Sequence, residues 1–320
     1  MARDLIDSPL VDKAQADSVL KVMDANTTAD GEVVPRQQNL GLFFGLIGVT
    51  AFGLTLPATR LAIVDLDPMF IGVGRSALAG LIAAALLLLT ASRWPPRQTI
   101  VQLLMVACGV VLGFPLMSAM AMQTLPASHG GVMLGILPLM TAAIASQVTG
   151  ERNRRRFWIC SILAACVVIG YASKSGIDGW KSGDWWLLGA VILAAWGYAL
   201  GGQLSKQLAG WQVICWALTL TLPLTIPLTF WFRPAEIASI SPLSWGGFVY
   251  LSLISQLLGF FAWNKGLALG GVTRVSQVQL LQPFITLMAA GWLLGERIES
   301  STLLCALLVV ALVATGYQRR

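Results

Sequence analysis

The chain has 320 residues, of which 56% are apolar and only 11% charged. Soluble domains average about 25% charged residues, so this composition excludes an ordinary soluble globular protein. The formal net charge of +6 calls for no nucleic-acid partner, because the basic residues sort by membrane side, as shown below.

Residues 1–38 come first and differ from the rest. They carry Arg3, Lys13, Lys21 and Arg36 against seven acidic residues between Asp4 and Glu32. They lack the apolar core of a signal peptide. The segment reads as a cytosolic tail, mostly disordered, with one short helix near Ala16–Met23.

Ten apolar stretches follow: 40–61, 68–91, 98–122, 126–148, 156–172, 185–204, 211–232, 243–264, 273–294 and 301–317. Crossing a bilayer takes about 20 apolar residues. The expectation is an all-α membrane protein with ten transmembrane helices. With the N-terminus inside, fifteen basic residues fall on inner segments, five on outer loops, and Arg75 within a helix. That positive-inside bias places both termini in the cytoplasm. The run Arg152 to Arg156 reads as a topology anchor.

One pattern occurs twice. Pro138 is followed by Gly150-Glu151-Arg152, and Pro283 by Gly295-Glu296-Arg297, at an offset of 145 residues. Cys160 and Cys305 keep that offset. The chain divides into the tail, a first five-helix repeat at 39–174 and a second at 183–320. Five is odd, so the second copy lies upside down, giving an inverted 5+5 repeat with a central cavity between halves. Glu151 and Arg152 then face one side of the membrane, and Glu296 and Arg297 the other, where they close helix ends. Pro57, Pro115, Pro138, Pro223, Pro227 and Pro283 mark bends, since proline removes a backbone bond that neighbours must satisfy. Pro138 and Pro283 read as paired kinks, either hinges or static shapes. Gly41/Gly45, Gly131/Gly135, Gly197/Gly201 and Gly266/Gly270 are spaced for close helix packing.

Polar groups at membrane depth trace a cavity. Arg75 lies about 10–12 Å into helix two at ~1.5 Å per residue, where a charge costs about 2.5–3.5 kcal/mol on insertion scales. It snorkels outward, pairs with helix-terminal carbonyls or with Asp65 or Asp67, or meets an anionic substrate group. His129, the lone histidine, is either a satisfied interfacial residue or a hydrogen-bonding partner for substrate. Trp196 and Tyr198 on helix six line the path or fill the core. Ser252, Gln256, Gly259 and Trp263 share one face of helix eight. Ser276, Gln279, Gln282 and Thr286 share one face of helix nine. These two stripes form a wet wall or bond helix to helix. Helix four has Gly131, Leu134, Leu137 and Thr141 at the positions matching helix nine, so the cavity should be polar on one side and glycine-rich on the other. No carboxylate lies deep in a helix, which disfavours a carboxylate proton relay and organic-cation cargo. Coupling is then absent or runs weakly through His129.

The five cysteines have no metal-ligand spacing and read as packing residues; no metal or cofactor is expected. Ser128-His129 has no evident acidic partner, so no enzyme is expected. Charged rings or a carbonyl filter, the marks of many channels, are missing.

Together these residues resemble the drug/metabolite transporter superfamily, EamA-type, over about 40–320. The resemblance rests on Asp67-Pro68 through Arg75 to Leu89 and on Ala119 to Ala127 with Leu137-Pro138 and Gly150-Glu151-Arg152. The second copy is Trp263 to Thr273, Gln282-Pro283 and Gly295-Glu296-Arg297. The resemblance implies a cavity from helices one, three, four, six, eight and nine, with five and ten at the periphery. Within the superfamily the chain is most similar to YddG-type amino-acid exporters. Helix one lacks the membrane glutamate of small multidrug exporters. The expected function is export of small amphipathic metabolites, neutral and aromatic amino acids first, across a bacterial inner membrane by alternating access. A sugar, nucleobase, organic acid or drug is the alternative cargo. The expected partners are that small-molecule substrate and the lipid bilayer, and a monomer is allowed.

Overall fold

A computed structural model describes residues 35–149, 155–174, 180–205, 207–270 and 275–317. Every regular element among them is helical. Eight helices are long and apolar enough to cross a membrane: α1 (Gln37–Ala62), α2 (Pro68–Leu89), α3 (Arg97–Ala121), α4 (Ala127–Gln147), α5 (Arg155–Ser173), α6 (Ser182–Leu204), α7 (Gly210–Trp231) and α8 (Pro242–Gly270). Two shorter apolar helices, α9 (Val278–Leu294) and α10 (Ser300–Gly316), complete the ten. Residues 1–34 of the expected tail, with its short helix near Ala16–Met23, and Glu151 and Arg152 lie outside the described residues.

Local chemistry sets the helix ends. Asp67 accepts from Met69 N at 2.7 Å and Phe70 N at 3.3 Å, with Pro68 in the first turn of α2. This satisfies two of the N–H groups that a helix start leaves open. Ser241 and Pro242 repeat the arrangement at α8. Gly295 closes α9 at φ 64°, a left-handed geometry that costs glycine nothing.

The packing pairs obey an internal two-fold. α1 runs along α8 as α6 runs along α3, and α1 meets α9 as α6 meets α4. α2 packs on α7, α4 on α9 and α5 on α10, each helix against its own repeat equivalent. This is the inverted 5+5 architecture, all-α and ten-helical. α5 and α10 lie outermost, with Ile159, Ile162, Leu304 and Leu308 exposed. Two of the glycine pairs meet each other: Gly41/Gly45 of α1 lies against Gly266/Gly270 of α8, where a methyl on Gly266 would sit 2.7 Å from Gly45 N. Gly131 and Gly135 instead face Thr286 and Pro283 of α9.

The helices crossing the centre are broken, and most breaks sit beside proline. α1 is interrupted at Leu54, three residues before Pro57. Pro57 cannot donate to Gly53 O, and Thr286 Oγ1 of α9 donates there instead at 2.7 Å. α3 is π-helical over Ala107–Gly113 before Pro115. The freed Val111 carbonyl accepts from Ser76 Oγ at 2.6 Å. α4 is interrupted between Leu134 and Leu137, just before Pro138, and the 3-10 turn Ser276–Leu281 precedes Pro283. Pro138 and Pro283 line one small void between α4 and α9. Two prolines interrupt no helix. α7 runs unbroken through Pro223 and Pro227. Both are exposed. Conversely, α8 is π-helical over Tyr250–Leu258 with no proline to announce it. The 145-residue offset maps the α3 segment onto it.

Candidate substrate cavity

A cavity of about 540 Å³ enters between the two halves. Its mouth is at the end where α6 finishes and α7 begins, around Ser205 and Gly210, which is also the end where the described chain starts and stops. α8 supplies Phe260, Trp263 and Asn264, α9 supplies Gln279, and α4 supplies Pro138 and Thr141. Opposite them, α6 offers Gly197, Tyr198 and Gly201. The glycine-rich wall therefore belongs to α6 more than to α4, whose Gly131 is consumed in packing on Thr286. Gly197 also packs tightly, since a methyl there would sit 2.6 Å from Val110 Cγ2 of α3, and Gly201 and Gly202 are the α6 glycines with room beside them.

The cavity ends blind. Phe52, Val110, Tyr198 and Phe260 border both the main cavity and a chamber of about 20 Å³ beyond it. That volume holds one small polar group of about water size. Its wall contains Thr55, Arg75, Ser255, Gln256 and Gln282. Arg75 is 2% exposed. Its Nη2 donates to Ser255 Oγ at 3.0 Å, and Ser255 Oγ pairs with Thr55 Oγ1 at 2.8 Å. Its Nε has no partner among the described residues. Arg75 therefore does not snorkel, and neither named carboxylate reaches it. Asp67 caps α2, and Asp65 accepts from Ser241 N at 3.0 Å and Ser244 Oγ at 2.8 Å. A guanidinium has five N–H donors, and an isolated charge at this depth costs about 2.5–3.5 kcal/mol.

The other end of the molecule is sealed by polar contacts between elements. Glu296 Oε1 accepts from Ala127 N at 2.8 Å, and its Oε2 from Ser128 N at 2.9 Å and Ser128 Oγ at 2.6 Å. The carboxylate of the second repeat motif thus caps α4 of the first half, where the helix dipole favours negative charge. Arg60 Nη1 donates to Met122 O at 2.6 Å. Asp65 ties the α1–α2 loop to the start of α8, and hydrogen bonds from Ser241 and Ser244 hold its carboxyl below the ordinary value. Beside this seal, His129 Nε2 lies 2.7 Å from Asp184 Oδ1, with both side chains buried. Asp184 Oδ2 also accepts from Lys181 N at 2.8 Å, and the Tyr171 ring stacks on His129. A shallow depression of about 520 Å³ lies on this face around Arg60, Asp65 and Gln123.

The expected residues separate into groups. Tyr198, Gln256 and Gln282 meet at the blind chamber, joined by Arg75, while Trp263 and Gln279 line the main cavity with Tyr198. Trp196 borders neither, because positions two apart on a helix point to different sides. Ser252 Oγ donates to Phe248 O in its own helix at 2.7 Å. The π segment adds a residue to the turn and brings Ser255 to the chamber in its place. Thr286 repairs α1. His129 and Ser128, expected to lack acidic partners, have Asp184 and Glu296 respectively. Arg297 is exposed. The Ser276 side chain lies outside the described residues. Sequence reasoning missed Thr55, Ser255 and Asp184. Asp184 is fully buried although it sits in the first turn of α6.

Two inverted five-helix halves around a one-ended cavity define a multi-pass integral membrane protein of the transporter class. The model of the EamA-like transporter family matches residues 39–172 and again 181–315, and the chain belongs to that family. It is a transporter and not an enzyme. It is 42% identical over 276 residues to "Uncharacterized transporter YdeK" of Bacillus subtilis (strain 168), covering 86% of this chain and 96% of that one. "Uncharacterized transporter YyaM" of the same organism is 21% identical over 87% of this chain and 94% of its own. A "Probable terminal-alkyne amino-acid exporter" of Streptantibioticus cattleyicolor is 24% identical over 180 residues, 53% of this chain and 57% of that one. A solved crystal structure superimposes with a TM-score of 0.60 at 15% identity, over 86% of this chain and 97% of its own, and shares the fold.

Proposed function

We propose that this chain is a secondary transporter that exports small amphipathic metabolites, neutral and aromatic amino acids first, across a bacterial inner membrane. The observation that carries the reading is the cavity itself. It is about 540 Å³, within the ordinary range for small-ligand sites of about 300–1,000 Å³. It opens at one end only and is closed at the other by contacts between the two halves. Both termini lie in the cytoplasm on this reading, so the mouth faces the cytosol, where an exporter loads. Alternating access then breaks the Glu296 and Asp65 contacts and narrows the cytosolic mouth. The aromatic lining of Tyr198, Phe260 and Trp263 suits an apolar or aromatic cargo body. The similarity to a relative named as an amino-acid exporter supports the class of cargo.

The test is counterflow of a labelled amino-acid panel in proteoliposomes. Saturable exchange of Phe, Tyr, Trp or Met is the expected result. If no amino acid exchanges, the assignment fails, and a panel of sugars, nucleobases and organic acids comes next. Ion-channel rates in a planar bilayer would also overturn it.

A further inference from the structure

We infer that Arg75 is the anchor for a carboxylate on the cargo. The site takes a monocarboxylate with an apolar or aromatic body, and it reads the carboxylate without reading an amino group. This rests on the cavity reading proposed above.

Four observations converge. Arg75 is buried, and among the described residues its Nε has no partner and Ser255 is its one hydrogen-bond acceptor. Among the described residues, the side chains bordering the chamber and main cavity include no carboxylate and no second cation. The chamber where Arg75 sits holds one small polar group and no more. It joins the main cavity through Phe52, Val110, Tyr198 and Phe260, so a head group on Arg75 leaves its body between aromatic rings. A guanidinium fork matches a carboxylate in two parallel hydrogen bonds. A buried cation lacking a carboxylate in the protein gains one from the cargo. One cation balances one negative charge, so a single carboxylate fits where a dianion would carry an excess. A cargo ammonium meets only neutral acceptors, so charge does not select for it.

The experiment uses the full chain in proteoliposomes. Counterflow of labelled L-phenylalanine is competed with 3-phenylpropionate, which keeps the carboxylate and lacks the amine. It is also competed with L-phenylalaninamide and phenethylamine, which keep the amine and lack the carboxylate. Each compound is tested in parallel for its shift of thermal unfolding. The inference predicts that 3-phenylpropionate competes while the two amines do not. R75Q should raise the half-saturating concentration about tenfold or more, and R75K less. If R75Q does not fold, the wild-type competition series decides alone. Equal competition by the amide and the amine overturns the anchor and leaves amino-acid transport standing. Exchange of labelled 3-phenylpropionate without exchange of any amino acid sinks the amino-acid assignment and leaves the anchor standing. If no carboxylate compound exchanges or shifts unfolding, both fall.

Discussion

Replacing Glu296 with glutamine tests whether the seal at the closed end sets the conformational balance. The carboxylate receives three hydrogen bonds from the start of α4, at 2.6–2.9 Å. Hydrogen bonds to a charged group contribute roughly 1.5–3 kcal/mol each. Glutamine has the same shape but one acceptor oxygen, and its amide nitrogen would meet N–H and O–H donors. Glu296 is half-buried, so solvent screening lowers the total. The net loss should be about 1.5–3 kcal/mol, roughly a 10–100-fold shift toward the state open at this end, since ~1.4 kcal/mol is tenfold. Spin labels at Val64 and Glu299, both exposed on loops beside the seal, would report it as a longer distance population in double electron–electron resonance. An unchanged distance distribution in a stably folded E296Q refutes the reasoning. A lowered melting temperature with unchanged distances reduces Glu296 to a helix cap. The repeat makes the converse prediction for E151Q, at a position outside the described residues: the shift runs the other way.

Three further outcomes follow from single contacts. T286V removes the hydroxyl that satisfies Gly53 O and should cost about 1–3 kcal/mol in thermal unfolding, while T286S should not. G266A pushes a methyl against the backbone of α1 and should cost about 1–3 kcal/mol. G246A meets nothing within 4 Å and should be neutral or stabilising by up to about 1 kcal/mol; equal effects would show that the α1–α8 approach is not tight. Asp65 is held below its usual value of 3.8, so its contribution is full above that pH and fades as pH falls through the depressed value. Wild type should lose its stability advantage over D65N only in that acid range, measured as melting temperature against pH. An advantage that grows on acidification would contradict the contact.

Much of the fold was legible because it rests on composition and counting. Apolar runs give the spans, and the 145-residue repeat with an odd helix number gives the inversion. The site was legible on α9, where a spacing of three keeps Gln279 and Gln282 on one face in the 3-10 turn as in an α-helix. It failed where the helix is irregular. A 3.6-residue period puts Ser252 beside Gln256, but the π segment of α8 turns Ser255 there, and no proline marks that segment. Arg75 stood out at once, yet its neighbours Thr55 and Ser255 come from α1 and α8, 200 positions apart. Asp184 sits in the first turn of α6, and its partner His129 comes from α4, 55 positions away.

The break in α1 ties these parts together. Its carbonyls at Ala51 and Gly53 accept from Tyr250 Oη at 3.0 Å and Thr286 Oγ1 at 2.7 Å, both from the second half. Thr55, just past the break, joins Ser255 and through it Arg75. At its break, α1 of the first half is therefore held together by donors from the other half. Rocking α1 away from α8 and α9 strips those carbonyls of their donors. In a dry interior each lost bond costs about 1–3 kcal/mol, which opposes the motion. Water entering from the sealed end would replace the lost donors as that end opens. On the proposed alternating access, the same repair beside Pro57 would make the opening depend on wetting of the chamber where Arg75 sits.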